Sequence, residues 1–312
     1  MVNIKKVAIV GCGLVGSSIA FALLEEELFS EIVLIDANKE KAIGEAMDLS
    51  HGLPYTSSMN IHAGEYNEIK DASIVIITAG ANQKPGETRL DLINKNVSIM
   101  KNIINEINKV NIEGILLIVS NPVDILTYVA LKESKLPKNR VFGSGTVLDT
   151  ARLKYLISNH LKVDSKNVHA VIIGEHGDSE VVTWSIANIS GVPLNEFCEL
   201  RGHFNHKKAM KEIYESVRDS AYEIIKRKGA TYYGVAISVA HIASCIVNNT
   251  HTMLPVSTLC EGQYGLNDLC LSLPSIIGRN GIEDVLEIHL ANDEKKQLHE
   301  SASALSKIIK SL

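Results

Sequence analysis

The chain has 312 residues, 46% of them hydrophobic, with 31 basic against 36 acidic side chains and a formal charge of −5. This describes a globular protein of two domains or one large one, without the basic stripe that nucleic-acid binding requires. The five cysteines, Cys12, Cys198, Cys245, Cys260 and Cys270, form no CxxC pair. They argue against a disulfide framework or a metal site and for reduced thiols in the cytoplasm.

Lys5 and Lys6 precede an uncharged stretch, Val7 to Leu24, laid out like a signal sequence. Glycines interrupt it, and Glu25, Glu26 and Glu27 close it with no cleavage pattern, so it is expected to belong to the fold. No other uncharged apolar run approaches the ~20 residues a membrane helix needs.

In chain order, Ile4 to Val10 reads as a strand, Leu14 to Phe29 as a helix, Glu31 to Ile35 as a strand and Glu40 to Leu53 as a helix. Ile74 to Ile77 reads as a strand, Leu90 to Val110 as a helix and Ile115 to Val119 as a strand. Strands that are apolar throughout and alternate with helices belong in a parallel sheet covered on both faces. Right-handed crossovers make that sheet doubly wound. The second half changes character. Val147 to His160 reads as a helix and Val168 to Ile173 as a strand entering G-E-H-G-D. Lys207 to Lys228 and Val235 to Val247 read as helices, Thr252 to Thr258 and Leu271 to Ile277 as short β segments, and Glu294 to Leu312 as a final helix. The expected architecture is α/β: a Rossmann-like doubly wound domain over 1–145 and a C-terminal α+β catalytic domain over 146–312.

G-C-G-L-V-G, from Gly11 to Gly16, fits GxGxxG. It follows a strand and opens a helix, and Asp36 ends the next strand 20 residues past Gly16. In that context it is a dinucleotide fingerprint. Gly11 allows a tight turn, Gly13 clears space for a pyrophosphate, and Gly16 lets helix and strand pack closely. Asp36 can accept hydrogen bonds from a ribose diol and would repel a 2′-phosphate, so NAD is expected rather than NADP.

His176 sits between Gly174 and Gly177 at a strand end, and its ordinary pKa suits a general acid–base near neutrality. Asp149 and Arg152 lie three residues apart on one face of an expected helix. Spacing allows two readings: a local ion pair, or a split in which Asp149 orients the imidazole and Arg152 forks a substrate carboxylate. The loop A-N-Q-K-P-G-E-T-R after Ile77 exceeds the about two to six residues such a connection needs. It reads as a lid, with Gly80 and Gly86 as hinge positions.

Together these motifs resemble the lactate/malate dehydrogenase family, in particular its bacterial branch acting on L-lactate. The resemblance spans almost the whole chain: the glycine fingerprint, A-N-Q-K-P-G-E-T-R-L-D-L, V-S-N-P-V-D, G-S-G-T-V-L-D-T-A-R, G-E-H-G-D, K-G-A-T-Y-Y-G-V-A and L-P-V-S-T-L. It implies that His176 exchanges a proton with the substrate while hydride passes between substrate and nicotinamide, regenerating NAD+ in fermentative glycolysis. Asp149 would stabilise the imidazolium, Arg152 bind the carboxylate and Arg89 polarise the carbonyl. Asn121 would bind the reacting oxygen and border the nicotinamide, and its bond to Pro122 would be cis. Thr231 would line the substrate side chain. Val15, Lys41, Tyr66, Gly80 and Ala81 would border the cofactor. Relatives that use malate carry Arg where Gln83 stands, so Gln83 would exclude a second carboxylate. Many bacterial relatives are activated by fructose 1,6-bisphosphate through an Arg and a His. His169 matches the second, but Lys154 replaces the first and lacks its planar fork. The family is typically tetrameric.

Two other readings compete. A dehydrogenase for malate or branched 2-hydroxy acids conflicts with Gln83 and with the motif match. A non-catalytic NADH-binding module would not need His176, Asp149, Arg152 and Arg89 together. Cys12, inside the glycine loop, is expected to expose it to thiol reagents.

Overall fold

The structure, a computed structural model, describes residues 2–81, 86 and 88–312. Gln83 and the side chain of Arg89 lie outside this description.

Six strands form a parallel sheet: β1 (Asn3–Val10), β2 (Glu31–Ile35), β3 (Asn60–Ala63), β4 (Ala72–Ile77), β5 (Ile115–Ile118) and β6 (Val141–Gly143), in the order β6-β5-β4-β1-β2-β3. The chain order reverses between β1 and β4, which is where ligands of such sheets bind. Alternation along each strand divides the core into two layers. Val7, Ile9, Ile32, Leu34, Ile74, Ile76 and Leu117 enter one apolar cluster. Ala8, Val10, Val33, Ile35, Val75, Ile77 and Leu116 enter the other. The first cluster is covered by α1 (Leu14–Glu25), through Ile19 and Leu23, and by α8, described below. The second is covered by α3 (Arg89–Val110), through Val97, Met100 and Ile104, and by α4 (Val123–Glu133), through Ile125 and Leu126. Strands buried on both sides have no polar face, hence the unbroken apolar runs in the sequence.

α1 stops four residues before the expected Phe29. Its end carries acidic Glu25 and Glu26 where the helix dipole disfavours negative charge, and Glu27 turns left-handed at φ 51°. Leu28 and Phe29 are thereby freed to enter the core. α2 (Lys39–Ser50) is capped by the Asn38 side chain and gives way before Pro54 to a 3₁₀ turn, Leu53–Tyr55, so it falls short of the expected Leu53. β3, β6 and α4 were not anticipated. The first two are short, and α4 opens directly behind Pro122, which leaves little local pattern.

The second half contains α5 (Val147–Leu161), β7 (Val168–His169), β8 (Ile172–Ile173), β9 (Val181–Val182), β10 (Asn188–Ile189), β11 (Val192–Pro193), α6 (Leu194–Leu200), α7 (His206–Lys228) and α8 (Tyr233–Asn248). It continues with β12 (Thr252–Glu261), β13 (Asn267–Gly278), β14 (Gly281–Val285) and α9 (Asn292–Ile309). The expected strand from Val168 to Ile173 is in fact two: β7 pairs with β10, and β8 with β9. The break at Ala170 and Val171 lets one apolar run serve two small sheets. β12, β13 and β14 continue the large sheet antiparallel beyond β6, giving nine strands in order β14-β13-β12-β6-β5-β4-β1-β2-β3. α9 packs Leu298, Ala302 and Leu305 into the second cluster. A third cluster, with Leu153, Ile157, Ile172 and Val217, joins α5, α7 and the small strands. Among the described residues no helix is long and apolar enough to cross a membrane; the uncharged Val7 to Leu24 stretch is divided between β1 and α1.

Candidate active site

The glycine loop joins β1 to α1 at the carboxyl end of the sheet. Gly11 has φ +104°, and a Cβ there would lie 2.6 Å from the Ala79 amide nitrogen. A Cβ on Gly16 would lie 1.9 Å from the Gly11 carbonyl oxygen, so only glycine lets α1 start this close to the loop. Around Gly13, by contrast, nothing lies within 4 Å of where a Cβ would be. Gly13 is also the N-cap of α1 and offers no side-chain cap, which leaves the helix's first N–H groups for an anion. At the tip of β2, Asp36 is held by two backbone donors: Cys12 N–H to Oδ2 at 2.7 Å and Asn38 N–H to Oδ1 at 2.8 Å. An open cradle at a helix N-terminus beside a fixed carboxylate fits the pyrophosphate and ribose diol of NAD. Cys12 itself is buried, and burial followed by the charge of Asp36 pushes its thiol up to about 12. A buried protonated thiol is a poor nucleophile, which corrects the expectation of thiol-reagent sensitivity.

His176, Asp149 and Arg152 meet where the two halves adjoin. His176 follows β8 in a turn entered through Gly174 at φ +90°; Gly177 does not take a positive φ. The ring Nδ1 lies 2.5 Å from Asp149 Oδ2, and Arg152 donates to Asp149 Oδ1 at 2.9 Å. One buried carboxylate on α5 thus holds both partners. Burial pushes the Asp149 carboxyl up, but the charge and hydrogen bond of His176, followed by those of Arg152, outweigh it and hold the group below its usual range. Burial works against the charged imidazole, yet Asp149 by charge and hydrogen bond raises His176 to about 9.

Two supports were not read from the sequence. Asp124, in the first turn of α4, accepts the His176 backbone N–H at 2.8 Å and the Ser257 hydroxyl at 2.6 Å. Burial lifts its carboxyl to about 6 against those hydrogen bonds. It fixes the turn that carries the imidazole, and its place in V-S-N-P-V-D was the available signal. Asn96 on α3 is buried; its Oδ1 accepts Ala81 N–H at 2.8 Å and its Nδ2 donates to the Asn121 carbonyl at 3.0 Å. It ties the base of the loop after β4 to the loop after β5. Nothing in its helical spacing marks it out. The Asn121–Pro122 bond is cis.

Val15 lies in the first turn of α1, partly buried against the first cluster, and Lys41 in the first turn of α2. Tyr66 packs partly buried on the second cluster, and a Cβ on Gly80 would come into van der Waals contact with Asn96. Thr231 precedes α8, whose Gly234 abuts Leu148 next to Asp149. Lys154 and His169 line one cavity of about 470 Å³ together with His241 and Asn188, away from the His176 cluster.

An imidazole poised by a carboxylate, in a chain whose doubly wound sheet carries a glycine-lined helix N-terminus, belongs to an oxidoreductase that uses NAD. Residues 5–143 match the lactate/malate dehydrogenase NAD-binding domain and residues 146–312 the lactate/malate dehydrogenase alpha/beta C-terminal domain, and the chain belongs to that family. It is 55% identical over 309 residues to an L-lactate dehydrogenase of Acetivibrio thermocellus, covering 99% of this chain and 98% of that one. It is 50% identical over 307 residues to L-lactate dehydrogenase 1 of Clostridium acetobutylicum, covering 98% of each. Among solved structures, it superposes with TM-score 0.96 and 46% identity on MGS-M5, a lactate dehydrogenase from a Medee basin deep-sea metagenome library, over 99% of both chains. The minor L-lactate dehydrogenase of Enterococcus mundtii is 43% identical with TM-score 0.96 in its ligands-bound form, over 99% of this chain and 98% of that one.

Proposed function

We propose that this chain is an L-lactate dehydrogenase that interconverts L-lactate and pyruvate with NAD, regenerating NAD+ at the end of fermentative glycolysis in the cytoplasm. The observation that carries the reading is the Asp149 carboxylate shared by His176 at 2.5 Å and Arg152 at 2.9 Å. NAD, when bound, accepts or supplies the hydride at the substrate's C2. The protein's part is position and charge. With Nδ1 committed to Asp149, His176 presents Nε2 to the substrate oxygen. It takes the hydroxyl proton of lactate and returns it to pyruvate. Arg152 has a second edge of its guanidinium for the substrate carboxylate. Asn121 hydrogen-bonds the reacting oxygen, and Arg89 polarises it when the loop shuts. Gln83 and Thr231 shape the space around the substrate's methyl. Gly11, Gly13, Val15, Gly16, Asp36, Lys41, Tyr66, Gly80 and Ala81 hold the cofactor.

Two further parts of the reading concern assembly and control. The chain forms a homotetramer, supported by the apolar side chains of Leu14, Phe21, Tyr233 and Ile237 that α1 and α8 leave exposed. Fructose 1,6-bisphosphate activates it through Lys154 and His169, supported by their meeting in one cavity. Burial lowers the pKa of Lys154, so a phosphate there would restore a countercharge.

NADH oxidation across a panel of 2-oxo acids tests the activity. Pyruvate is expected to lead, and His176→Ala to lose about 10²–10⁴-fold in kcat. Because reduction needs protonated His176, it should fade as pH rises through about 9, while lactate oxidation climbs over the same range. Retention of most activity by His176→Ala would overturn the mechanism.

A further inference from the structure

The turn after His176 ends at Glu180, a carboxyl that no step above employs. Glu180 is 4% exposed, and its Oε1 is shut off from solvent without a hydrogen-bond partner among the described residues. The turn is braced from α7: Tyr214 donates to the Glu180 carbonyl at 3.1 Å and Tyr222 to Asp178 Oδ1 at 2.9 Å. The charges that act on the Glu180 carboxyl come from Asp149 and Arg152 on α5, His176 in the turn and Arg218 on α7. Neighbouring acids are otherwise engaged: Glu175 accepts from Ser179 at 2.5 Å, and Glu294 of α9 accepts from Ser185 at 2.6 Å. Arg218 is itself paired with Asp219 at 2.9 Å.

A buried carboxyl with an orphaned oxygen and, among the described residues, no paired cation is costly as an anion. A negative charge here would add to that of Asp149 and compete with an incoming carboxylate for Arg152. We propose, resting on the reading of this site as one that binds a 2-oxo acid, that Glu180 is a positioning residue that must be neutral when the substrate carboxylate docks on Arg152. Substrate binding and proton binding at Glu180 are then reciprocal. Burial, then the Asp149 charge, raise the group to about 8. Its ionisation therefore falls within a measurable range, ahead of the loss of the His176 proton.

The test is the pH dependence of KM for pyruvate in wild type and Glu180→Gln, which fixes the neutral form. At pH 6.5 the two should agree within about twofold in kcat and KM. By pH 9 the wild-type KM should have risen roughly tenfold more than that of the variant, with kcat following the same profile in both. Oxamate binding to the NADH complex, measured calorimetrically at pH 8.5 in two buffers of different ionisation enthalpy, reads the proton itself. Wild type should take up roughly one proton, against roughly a quarter for the variant through His176 alone. Parallel KM profiles with equal uptake would overturn the proposal, as would a variant already crippled at pH 6.5. Should the variant not fold, wild-type uptake near a quarter of a proton overturns the proposal, and uptake near one supports it. Failure of wild type to reduce pyruvate would remove the activity reading instead, and oxamate binding, which needs no turnover, would still test Glu180.

Discussion

Oxaloacetate differs from pyruvate by a second carboxylate, and a closed active site must either pair that charge or leave it unsolvated. Gln83 has only neutral hydrogen bonds to offer, and an unpaired buried charge costs several kcal/mol. On the proposed reading, a cost of this size at Gln83 would by itself give discrimination beyond ~10²-fold. Gln83→Arg is expected to move kcat/KM towards oxaloacetate and away from pyruvate, and unchanged values for both acids would sink this account. A larger 2-oxo acid is rejected less sharply, because each methylene is worth only about 1–3 kcal/mol. The same economy of charge governs the His176–Asp149 pair. The imidazole is raised above its unfolded value, so its contribution to stability is complete below about pH 6.5 and is lost as pH rises through about 9. Asp149 is lowered, so its contribution is present above its unfolded value and is lost as pH falls through its folded one.

At the scale of elements, α5 links the His176 turn to a second cavity. Asp149 and Arg152 face the catalytic turn, while Thr150 and Lys154, one turn apart, border the cavity that also holds His169. Thr150 Oγ1 also accepts the Ile172 N–H at 2.9 Å, tying the helix to β8, which runs into the His176 turn. A phosphate drawing on Lys154 would therefore act on the same rigid helix that carries Arg152. The measurement is a pyruvate titration with and without fructose 1,6-bisphosphate. A lower half-saturation with the sugar phosphate, abolished by Lys154→Ala, is expected; identical curves would remove the regulatory role. The expected helix pattern at Val147 to His160 was legible because the stripe Val147, Leu153, Ile157 and Leu161 is buried. The broken strand from β7 to β8 was not, because an apolar run reads the same whether it pairs with one strand or two.

For the molecule as a whole, the arrangement of exposed apolar residues matters more than their number. Leu14 and Phe21 on α1 lie one helical face apart from the buried Ile19 and Leu23, and α8 packs alongside with Tyr233 and Ile237 turned outward. Ile237 is 62% exposed although its neighbours Ala236, Val239 and Ala240 are buried. Leu14, Phe21 and Tyr233 line one groove, and exposed apolar surface of this kind is what the proposed interface would bury. Light scattering after size exclusion should give about four times the 34.0 kDa subunit mass, and Ile237→Glu should lower it. A variant of unchanged mass would show that this face is not the one used.

The doubly wound half could be read directly, because local rules dictate it. Buried strands must be apolar throughout, a dinucleotide cradle needs its glycines at fixed steps, and a carboxylate must end the second strand. That His176, Asp149 and Arg152 deserved notice was also legible, since His176 lies among glycines and Asp149 and Arg152 share a helical face, and the fold brings the three together. What the sequence left open was whether Arg152 pairs with Asp149 or stands apart from it, and the folded site puts His176 and Arg152 on opposite oxygens of one carboxylate. Asp124, Asn96 and Glu180 gain their roles only from tertiary contact. Asp124 is 52 residues from the backbone N–H it holds, Asn96 bridges two loops from a helix, and Glu180 is an ordinary surface residue type until the fold closes over it. Periodicity reports which way a side chain faces. Only packing decides which charges, brought from distant parts of the chain, must share a dry space.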